Sequence, residues 1–137
     1  MFSNVLVPVD FTPRSERAVE VAVGVLQASG RITLLHVIEL LDAPMEELEE
    51  FYAELEVKAH AKLQAFVERL READLSPIQH VRYGKRVPEI VQFAVEGDHD
   101  LLVVGSHRMD PDHPASSWMT ISHQVAILAP CPVLVVR

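Results

Sequence analysis

The chain has 137 residues, 49% of them hydrophobic, a formal net charge of −8 and a single cysteine. This length and composition predict one globular domain over residues 1–137 with a substantial buried core. The acidic balance argues against nucleic acid or an anionic membrane surface as a partner, since both are bound through basic patches. No segment approaches the roughly 18 apolar residues of a membrane span. The lone Cys131 excludes an internal disulfide and fits a reducing cytoplasm.

The N-terminal residues predict a strand followed by a helix. Residues 5–9 form an apolar run that ends at Asp10, as expected of a strand buried on both faces. Thr12 stands where a helix N-cap is expected, and Pro13 takes the first helical position, where its fixed φ and missing N–H are tolerated. The apolar spacing continues to Gly30, which we interpret as the helix stop.

A second strand over residues 32–37 and a long amphipathic helix are predicted next. After Pro44, apolar side chains recur every three or four residues: Leu48, Tyr52, Leu55, Ala59, Leu63, Phe66 and Leu70. The opposite face carries the acidic residues Glu46, Glu47, Glu49, Glu50, Glu54 and Glu56. We interpret this acidic run as a solvated helix surface.

The third predicted strand covers residues 77–83. Its alternation of apolar and polar side chains is typical of an edge strand with one wet face. A short helix over residues 88–96 should follow and end at Gly97.

The C-terminal third predicts two more strands and a helix. The continuous apolar run Leu101–Gly105 indicates another strand buried on both faces. A polar loop over 106–117 follows, and the spacing beyond it predicts a helix from about 118 to 128. The last strand is predicted at Val133–Val136.

The order βαβαβαβαβ indicates an α/β fold: an open, doubly wound, five-stranded parallel sheet with helices on both faces. The strands that contain Val5 and Leu101 are the most continuously apolar of the first four, so they should be central. The strand order would then be 3-2-1-4-5. In that order the loops at Asp10 and Gly105 meet at the switch point, where ligands bind in such sheets.

The last strand would lie at the edge of the sheet, with no charge before Arg137. A bare apolar edge is an aggregation hazard. Either a helix or loop shields Val133–Val136, or the strand pairs with its own copy across a two-fold axis. We favour the second arrangement and expect a homodimer through Val133–Val136.

Three motifs are informative together: Val-Pro-Val-Asp at 7–10, Val-Val-Gly-Ser-His at 103–107 and Ala-Pro-Cys-Pro-Val-Leu-Val-Val at 129–136. With residues 4–10, 12–13, 36–37 and 84–90, they give the chain a resemblance to the universal stress protein family over nearly its whole length. The resemblance implies the same adenine-nucleotide-hydrolase-like sheet, a dimer through the last strand and a cytoplasmic role in the stress response.

Part of that family binds ATP through Gly-x2-Gly-x9-Gly-Ser/Thr, beginning at the end of the fourth strand. Here the first glycine is Gly105 and the hydroxyl falls on Thr120, but Arg108 and Met119 occupy the other two glycine positions. The interval between Arg108 and Met119 is also one residue longer. Glycine lets backbone N–H groups approach phosphate oxygens. Two lost donors at about 1.5–3 kcal/mol each would weaken phosphate binding by about two orders of magnitude.

The resemblance places the adenine and ribose on Pro8, Asp10, Val37 and Val104, and adds Ile121 to the ligand-binding set beside Gly105, Arg108 and Thr120. From the residues alone, alternatives stay open. Asp10 either accepts a ribose hydroxyl or holds a turn. Thr120 either meets a phosphate at a helix N-terminus or starts that helix. Arg108 either grips phosphate or is a solvated loop arginine, which we favour.

The remaining reactive side chains do not predict catalysis. His107, Asp110, Asp112 and His113 share a proline-marked surface loop whose role stays open, and we expect no metal there, because metal sites need ligands held on rigid elements. Cys131 should be an inert thiol, His36 a hydrogen-bonded core histidine and His123 a surface or interface residue rather than a ligand. The chain contains neither Gly-x-Ser-x-Gly nor Gly-x4-Gly-Lys-Ser/Thr.

Three functions are therefore compared. The first is a non-catalytic, dimeric stress-response protein that works through a protein partner, with weak or absent ATP binding and no certain cofactor. The second is a protein that binds ATP or AMP through Asp10, Gly105, Arg108 and Thr120 and turns ATP over slowly. A third, a metal-dependent or redox enzyme, would require a bound metal or a reactive Cys131 thiol.

Overall fold

A computed structural model describes residues 2–106 and 120–137. Its elements, in chain order, are β1 Phe2–Pro8, α1 Pro13–Val25, β2 Leu26–Glu39, α2 Glu49–Glu72, β3 Ile78–Gly84, α3 Arg86–Glu96, β4 Leu101–Gly105, α4 Ile121–Leu128 and β5 Val133–Val136. A 3-10 turn, Met45–Leu48, precedes α2. None of the helices in these two ranges could cross a membrane, given their length and polarity.

The strands form one parallel sheet in the order β3-β2-β1-β4-β5. This confirms the predicted fold class and the central positions of the first and fourth strands. Val5 of β1 pairs with Ile32 on one side and with Leu101 on the other. The winding direction reverses between β1 and β4, so the loops after these two strands flank the switch point.

Helices cover both faces of the sheet. Successive side chains of β1 point to opposite faces: Val5 packs in a core that includes Leu63 of α2. Leu6 packs in a second core with Ile90 of α3 and Val125 of α4. Because both faces are buried, β1 and β4 need apolar residues at nearly every position.

The first helix ends at Val25, so the predicted stop at Gly30 is wrong. Leu26 leaves the helix with an extended backbone, φ −75° and ψ 131°, and β2 begins at once. Regular pairing with β1 is interrupted around residues 27–30. Ser29 has a φ of 64°, and a Cβ at Gly30 would lie 2.7 Å from the Leu26 side chain. The glycine therefore marks an irregular stretch of strand, since glycine suits a bulge as well as a helix end.

The second strand, Leu26–Glu39, is longer at both ends than the predicted 32–37. The remaining elements lie within a few residues of their predicted positions. The third strand lies at the sheet edge as predicted, and α3 begins at Arg86, two residues before the predicted start. The described part of α4 begins at Ile121; the predicted start near 118 and the loop after Ser106 lie outside the described residues. Glu56 departs from the interpretation of a merely solvated helix face, because it accepts a 2.6 Å hydrogen bond from the Tyr83 hydroxyl.

Candidate functional site

A cavity of about 330 Å³ lies at the switch point, between the loops that follow β1 and β4. Seven of the eight residues in the predicted ligand-binding set line it: Pro8, Asp10, Val37, Val104, Gly105, Thr120 and Ile121. The eighth, Arg108, lies outside the described residues. The volume falls at the lower end of the range of about 300–1,000 Å³ usual for small-molecule pockets.

One part of the cavity wall is apolar. Pro8, Leu35, Val37 and Val104 line it from three neighbouring strands, and Ile90 lines it from α3. The strands position these side chains through the sheet hydrogen bonds, since β1 pairs with both β2 and β4. Such a wall suits a planar, weakly polar ring.

Asp10 organises the turn between β1 and α1. Its Oδ1 accepts three hydrogen bonds, from the Thr12 N–H at 3.1 Å, the Thr12 hydroxyl at 2.6 Å and the Ser15 hydroxyl at 2.6 Å. The Asp10 N–H in turn donates to Ser15 Oγ at 2.8 Å. Thr12 is the N-cap of α1 by position, but its side chain makes no cap hydrogen bond. The predicted N-cap position is therefore confirmed, while the Thr12 hydroxyl donates to Asp10 and caps no helix N–H.

The carboxyl group of Asp10 stays ionised at neutral pH. Partial burial raises its pKa, but the hydrogen bonds from Ser15 and Thr12 and the charge of Arg14 outweigh burial and hold the pKa below its usual value. All three hydrogen bonds reach Oδ1; within the described ranges, Oδ2 makes none. Of the two interpretations, the turn role is observed. Oδ2 remains as an acceptor for the predicted ribose hydroxyl.

His36 lines the cavity from β2. Its Nδ1 lies 2.8 Å from the Val9 carbonyl oxygen, and its ring packs on Phe11 with centroids 4.4 Å apart. Phe11 itself has a φ of 64°, and Lys62 Nζ lies 5.3 Å from its ring centroid. The predicted hydrogen bond of His36 is present. From the sequence, however, His36 was predicted in the core and not at the cavity.

Hydroxyl groups and a helix N-terminus form another part of the wall. Thr120 is the N-cap of α4, and its Oγ1 accepts a hydrogen bond from the His123 N–H at 3.4 Å. Ser122 Oγ donates to Ser106 Oγ at 2.9 Å, and both serines are buried. Thr120 therefore starts the helix, and α4 presents its N-terminus at the cavity. Helix N-termini favour anions such as phosphate.

His123, predicted as a surface or interface residue, contacts the start of α4. It is half-buried, and its Nδ1 lies 2.5 Å from Thr120 Oγ1. The contact fixes the Thr120 side chain at the start of α4.

Two cationic side chains also line the cavity, Arg14 from α1 and Arg86 from α3. Arg86 Nε lies 3.7 Å from Glu39 Oε1, with both side chains about half exposed. An ion pair so exposed is weak. Neither arginine was singled out by the sequence analysis.

The remaining sequence candidates divide into two groups. Arg108, Met119 and the loop residues His107, Asp110, Asp112, His113 and Trp118 lie outside the described residues. Among residues 2–106 and 120–137, no group of three or more His, Cys, Asp or Glu side chains could hold a metal ion. Cys131 is half-buried, and burial raises the pKa of its thiol. A raised pKa agrees with the predicted inert thiol.

The fold is a doubly wound α/β fold of the nucleotide-hydrolase-like class, with a cavity at its switch point. The family model of the Universal stress protein family matches residues 1–137. The chain is 32% identical over 145 residues to "Universal stress protein G" of Escherichia coli O157:H7, with 100% of each chain covered. The chain belongs to the universal stress protein family.

Solved structures agree with this assignment. "Universal stress protein UspA from Lactobacillus plantarum" has a TM-score of 0.78 and 25% identity, with 98% of this chain and 97% of that chain covered. A universal stress protein family protein from Arabidopsis thaliana, solved with AMP bound, has a TM-score of 0.73 and 22% identity, with 98% and 90% covered. At that identity, the second likeness concerns the fold.

Proposed function

We propose that this protein is a non-catalytic, homodimeric universal stress protein of the cytoplasm that binds adenine nucleotides and prefers AMP to ATP. One observation carries the proposal. A single cavity at the switch point combines an apolar wall, the ionised carboxylate of Asp10, whose Oδ2 accepts no hydrogen bond from the described residues, and a helix N-terminus. These are the three surfaces that a base, a ribose and a phosphate require.

Each part of AMP has a counterpart in the cavity. The adenine ring would lie against the wall formed by Val37 and Val104. The ribose hydroxyls would donate to Asp10 Oδ2. The phosphate would accept from N–H groups at the start of α4, next to Thr120 and Ser122. The AMP-bound relative from Arabidopsis thaliana supports this choice of ligand class.

The preference for AMP follows from the motif at the end of β4. Only Gly105 and Thr120 remain of the family's ATP motif, with Arg108 and Met119 in place of two glycines. A longer phosphate chain would need the backbone donors that glycine exposes. A monophosphate needs fewer of them, so it loses less from the substitutions.

We propose binding without turnover because the sequence holds no phosphate-loop lysine and no nucleophile elbow. The protein would then act by presenting a nucleotide-dependent surface to a protein partner. Differential binding of AMP to two states is enough for such a role, without chemistry on the nucleotide.

Isothermal titration of the full chain with AMP tests the site. In Asp10→Asn, the amide oxygen can still accept from Thr12 and Ser15, while a donor replaces the Oδ2 acceptor. We expect AMP affinity to fall about tenfold or more, as for a lost hydrogen bond to a charged group.

Asp74→Asn is the matched control for that experiment. Asp74 is exposed, follows α2 at the edge of the sheet opposite the cavity, and has a φ of 61°, which asparagine tolerates. The AMP affinity of the Asp74→Asn variant should match that of the unmodified chain. Equal affinity of Asp10→Asn and Asp74→Asn would remove Asp10 from the site, and no heat with millimolar AMP would defeat the proposal.

A further inference from the structure

The net charge of the chain is concentrated in one segment. Residues 39–56 contain eight of the 20 acidic residues and none of the 12 lysines and arginines. The rest of the chain holds 12 acidic and 12 basic side chains, so this segment accounts for the whole formal charge of −8. It comprises the end of β2, the loop that follows, the 3-10 turn and the start of α2.

Six of the eight carboxylates are exposed and unpaired: Asp42, Glu46, Glu47, Glu49, Glu50 and Glu54. Within residues 2–106 and 120–137, none of these six side chains forms an ion pair or a hydrogen bond. The other two, Glu39 and Glu56, contact Arg86 and Tyr83. Because like charges on one surface repel each other, a basic partner would relieve that repulsion.

The same segment exposes three large apolar side chains. Leu40 is 48% exposed, Leu41 53% and Phe51 43%. Tyr52 ties the loop after β2 to α2, because its buried hydroxyl group accepts a 2.6 Å hydrogen bond from the Leu41 N–H. The ring of Tyr52 also lies 5.5 Å, centroid to centroid, from the ring of Phe51. The exposed leucines and Phe51 are therefore held on one fixed part of the surface.

A solvated helix face does not account for this combination. Glu49 and Glu50, in the first turn of α2, favour the positive end of the helix dipole. Asp42 and Glu54 lie outside that turn. Single exposed apolar residues are ordinary, whereas a cluster of them rimmed by polar groups is typical of a surface that binds another protein. Leu40, Leu41, Phe51 and the six unpaired carboxylates are called the acidic–apolar surface below.

The sign of the charge decides what can cover the acidic–apolar surface. A second copy of the chain would bring the same charge and be repelled, as would nucleic acid or an anionic membrane. The surface consists of a loop and a helix, which offer no strand edge for pairing with an extended peptide. Its contacts must therefore be made by side chains, as in the recognition of an amphipathic helix.

We propose, building on the protein partner in the proposed function, that the acidic–apolar surface binds a basic amphipathic helix of another protein. Apolar side chains of that helix cover Leu40, Leu41 and Phe51, and its lysines and arginines face the surrounding carboxylates. No residue of this surface is among those that line the nucleotide cavity in the described part of the chain. The contact therefore needs no bound nucleotide.

Fluorescence anisotropy with labelled peptides tests the surface on the full chain. The probe is a lysine–leucine peptide whose leucines recur at i, i+3, i+4 and i+7 and so form one face of a helix. We expect micromolar binding that weakens as the salt concentration rises. A scrambled peptide of the same composition should bind at least about fivefold more weakly, because it has no continuous apolar face. A glutamate–leucine peptide should not bind. No binding of the probe, or equal binding of either other peptide, would overturn the proposal.

The charged part of the surface is tested by the double variant Glu50→Gln, Glu54→Gln. We expect it to bind the probe about fivefold more weakly, as for two exposed ion pairs. Glu68→Gln, Glu72→Gln is the matched control, since both residues are exposed on the C-terminal part of the same helix. It removes the same net charge and should bind as the unmodified chain does. Equal weakening in the two double variants would show a response to net charge alone and would contradict the proposal.

The apolar part is tested by Phe51→Ser, which should weaken the probe about tenfold, as for a central apolar anchor. Val57→Ser is the control, because Val57 is 70% exposed on α2, and it should leave binding unchanged. If Phe51→Ser fails to fold, Leu41→Ser takes its place with the same expectation. Unchanged binding in the folded variant would overturn the inference.

The outcome is separate from that of the AMP titration. Failure of the probe to bind a chain that binds AMP would refute the acidic–apolar surface and leave the nucleotide site intact. Binding of the probe by a chain that binds no AMP would refute the nucleotide part of the proposed function and support this surface.

Discussion

Gly105 at the end of β4 lies directly against the backbone of Arg14 in the first turn of α1. A Cβ at position 105 would be 2.5 Å from the Arg14 carbonyl oxygen and 2.8 Å from its carbonyl carbon. Backbone atoms cannot move aside as a flexible side chain can. The glycine is therefore required for α1 to reach β4, and this contact brings the Asp10 turn and the Gly105 turn to one cavity, whatever ligand is bound.

Gly105→Ala should lower the free energy of unfolding by about 1–3 kcal/mol, the usual cost of forcing extra volume into a packed site. Urea unfolding, followed by circular dichroism, measures the change. Gly24→Ala is the control: a Cβ at Gly24 has no atom within 4 Å, and in a helix alanine is favoured over glycine by about 1 kcal/mol. Equal stability of Gly105→Ala and the unmodified chain would contradict the packing argument.

Ser15→Ala should loosen the turn that holds Asp10. The Ser15 side chain is buried and both donates to Oδ1 and accepts from the Asp10 N–H. Loss of these bonds should lower the free energy of unfolding by about 2 kcal/mol, because one of them involves a charged group. AMP affinity should fall as well. Ser76→Ala, at an exposed position, should change neither quantity, and the same null result for Ser15→Ala would show that the turn does not depend on this hydroxyl.

Acidification should destabilise the protein from neutral pH downward. Burial lowers the pKa of His36 and of His99, and outweighs the hydrogen bonds to Val9 and Ala94 that raise them. As the pH falls below the ordinary histidine value, the unfolded chain takes up protons that the native chain does not. The contribution of these two histidines to the free energy of unfolding is fully present above the ordinary histidine pKa. It is lost as the pH falls through the lowered pKa values of the native state.

Two carboxylates extend the effect to more acidic pH. Burial raises the pKa of Asp100, but hydrogen bonds from Ser3 and Asn4 outweigh it, and the pKa of Asp10 is lowered as well. Urea midpoints between pH 7.5 and pH 5 measure the histidine part. His99→Leu should flatten the profile over that interval. Stability that rises as the pH falls would contradict these assignments.

Dimer formation through β5 can be tested from the helix beside it. Ile127 and Leu128 at the end of α4 are 81% and 59% exposed, and such exposure is common where another chain covers the surface. Ile127→Glu should convert the expected dimer to a monomer in sedimentation equilibrium. Val57→Glu is the control, since Val57 is 70% exposed on α2. A dimer that survives Ile127→Glu, or a monomeric unmodified chain, would contradict an interface at β5 and α4.

The sequence predicts the sheet because its central strands carry a strong signal. Residues 5–7 of β1 and 101–104 of β4 are buried and all apolar, whereas the edge strand β3 alternates. The end of α1 was harder to predict. Gly30 fits a helix stop by sequence, but Leu26 turns extended first, and the choice depends on pairing with β1 far along the chain.

The cavity-lining residues at the ends of strands could be predicted from the sequence. Those that reach the cavity through the packing of a helix could not. Asp10 and Gly105 end the two central strands, so topology alone places them together. Arg86 lies in the segment 84–90 that contributes to the family resemblance, but no role was predicted for its side chain, which reaches the cavity because α3 packs beside β2. His36 was predicted in the core because it stands in an apolar strand. Its hydrogen bond to Val9 and its ring contact with Phe11 fit that prediction, and only its place among the cavity-lining residues departs from it.

The central claim is best tested by calorimetric titration of the full chain with AMP and with ATP under identical salt and pH. The account predicts that AMP binds and that ATP binds at least about tenfold more weakly, because Arg108 and Met119 stand where two phosphate-binding glycines would be. ATP binding as tight as that of AMP, or no heat from either nucleotide at millimolar concentration, would contradict it.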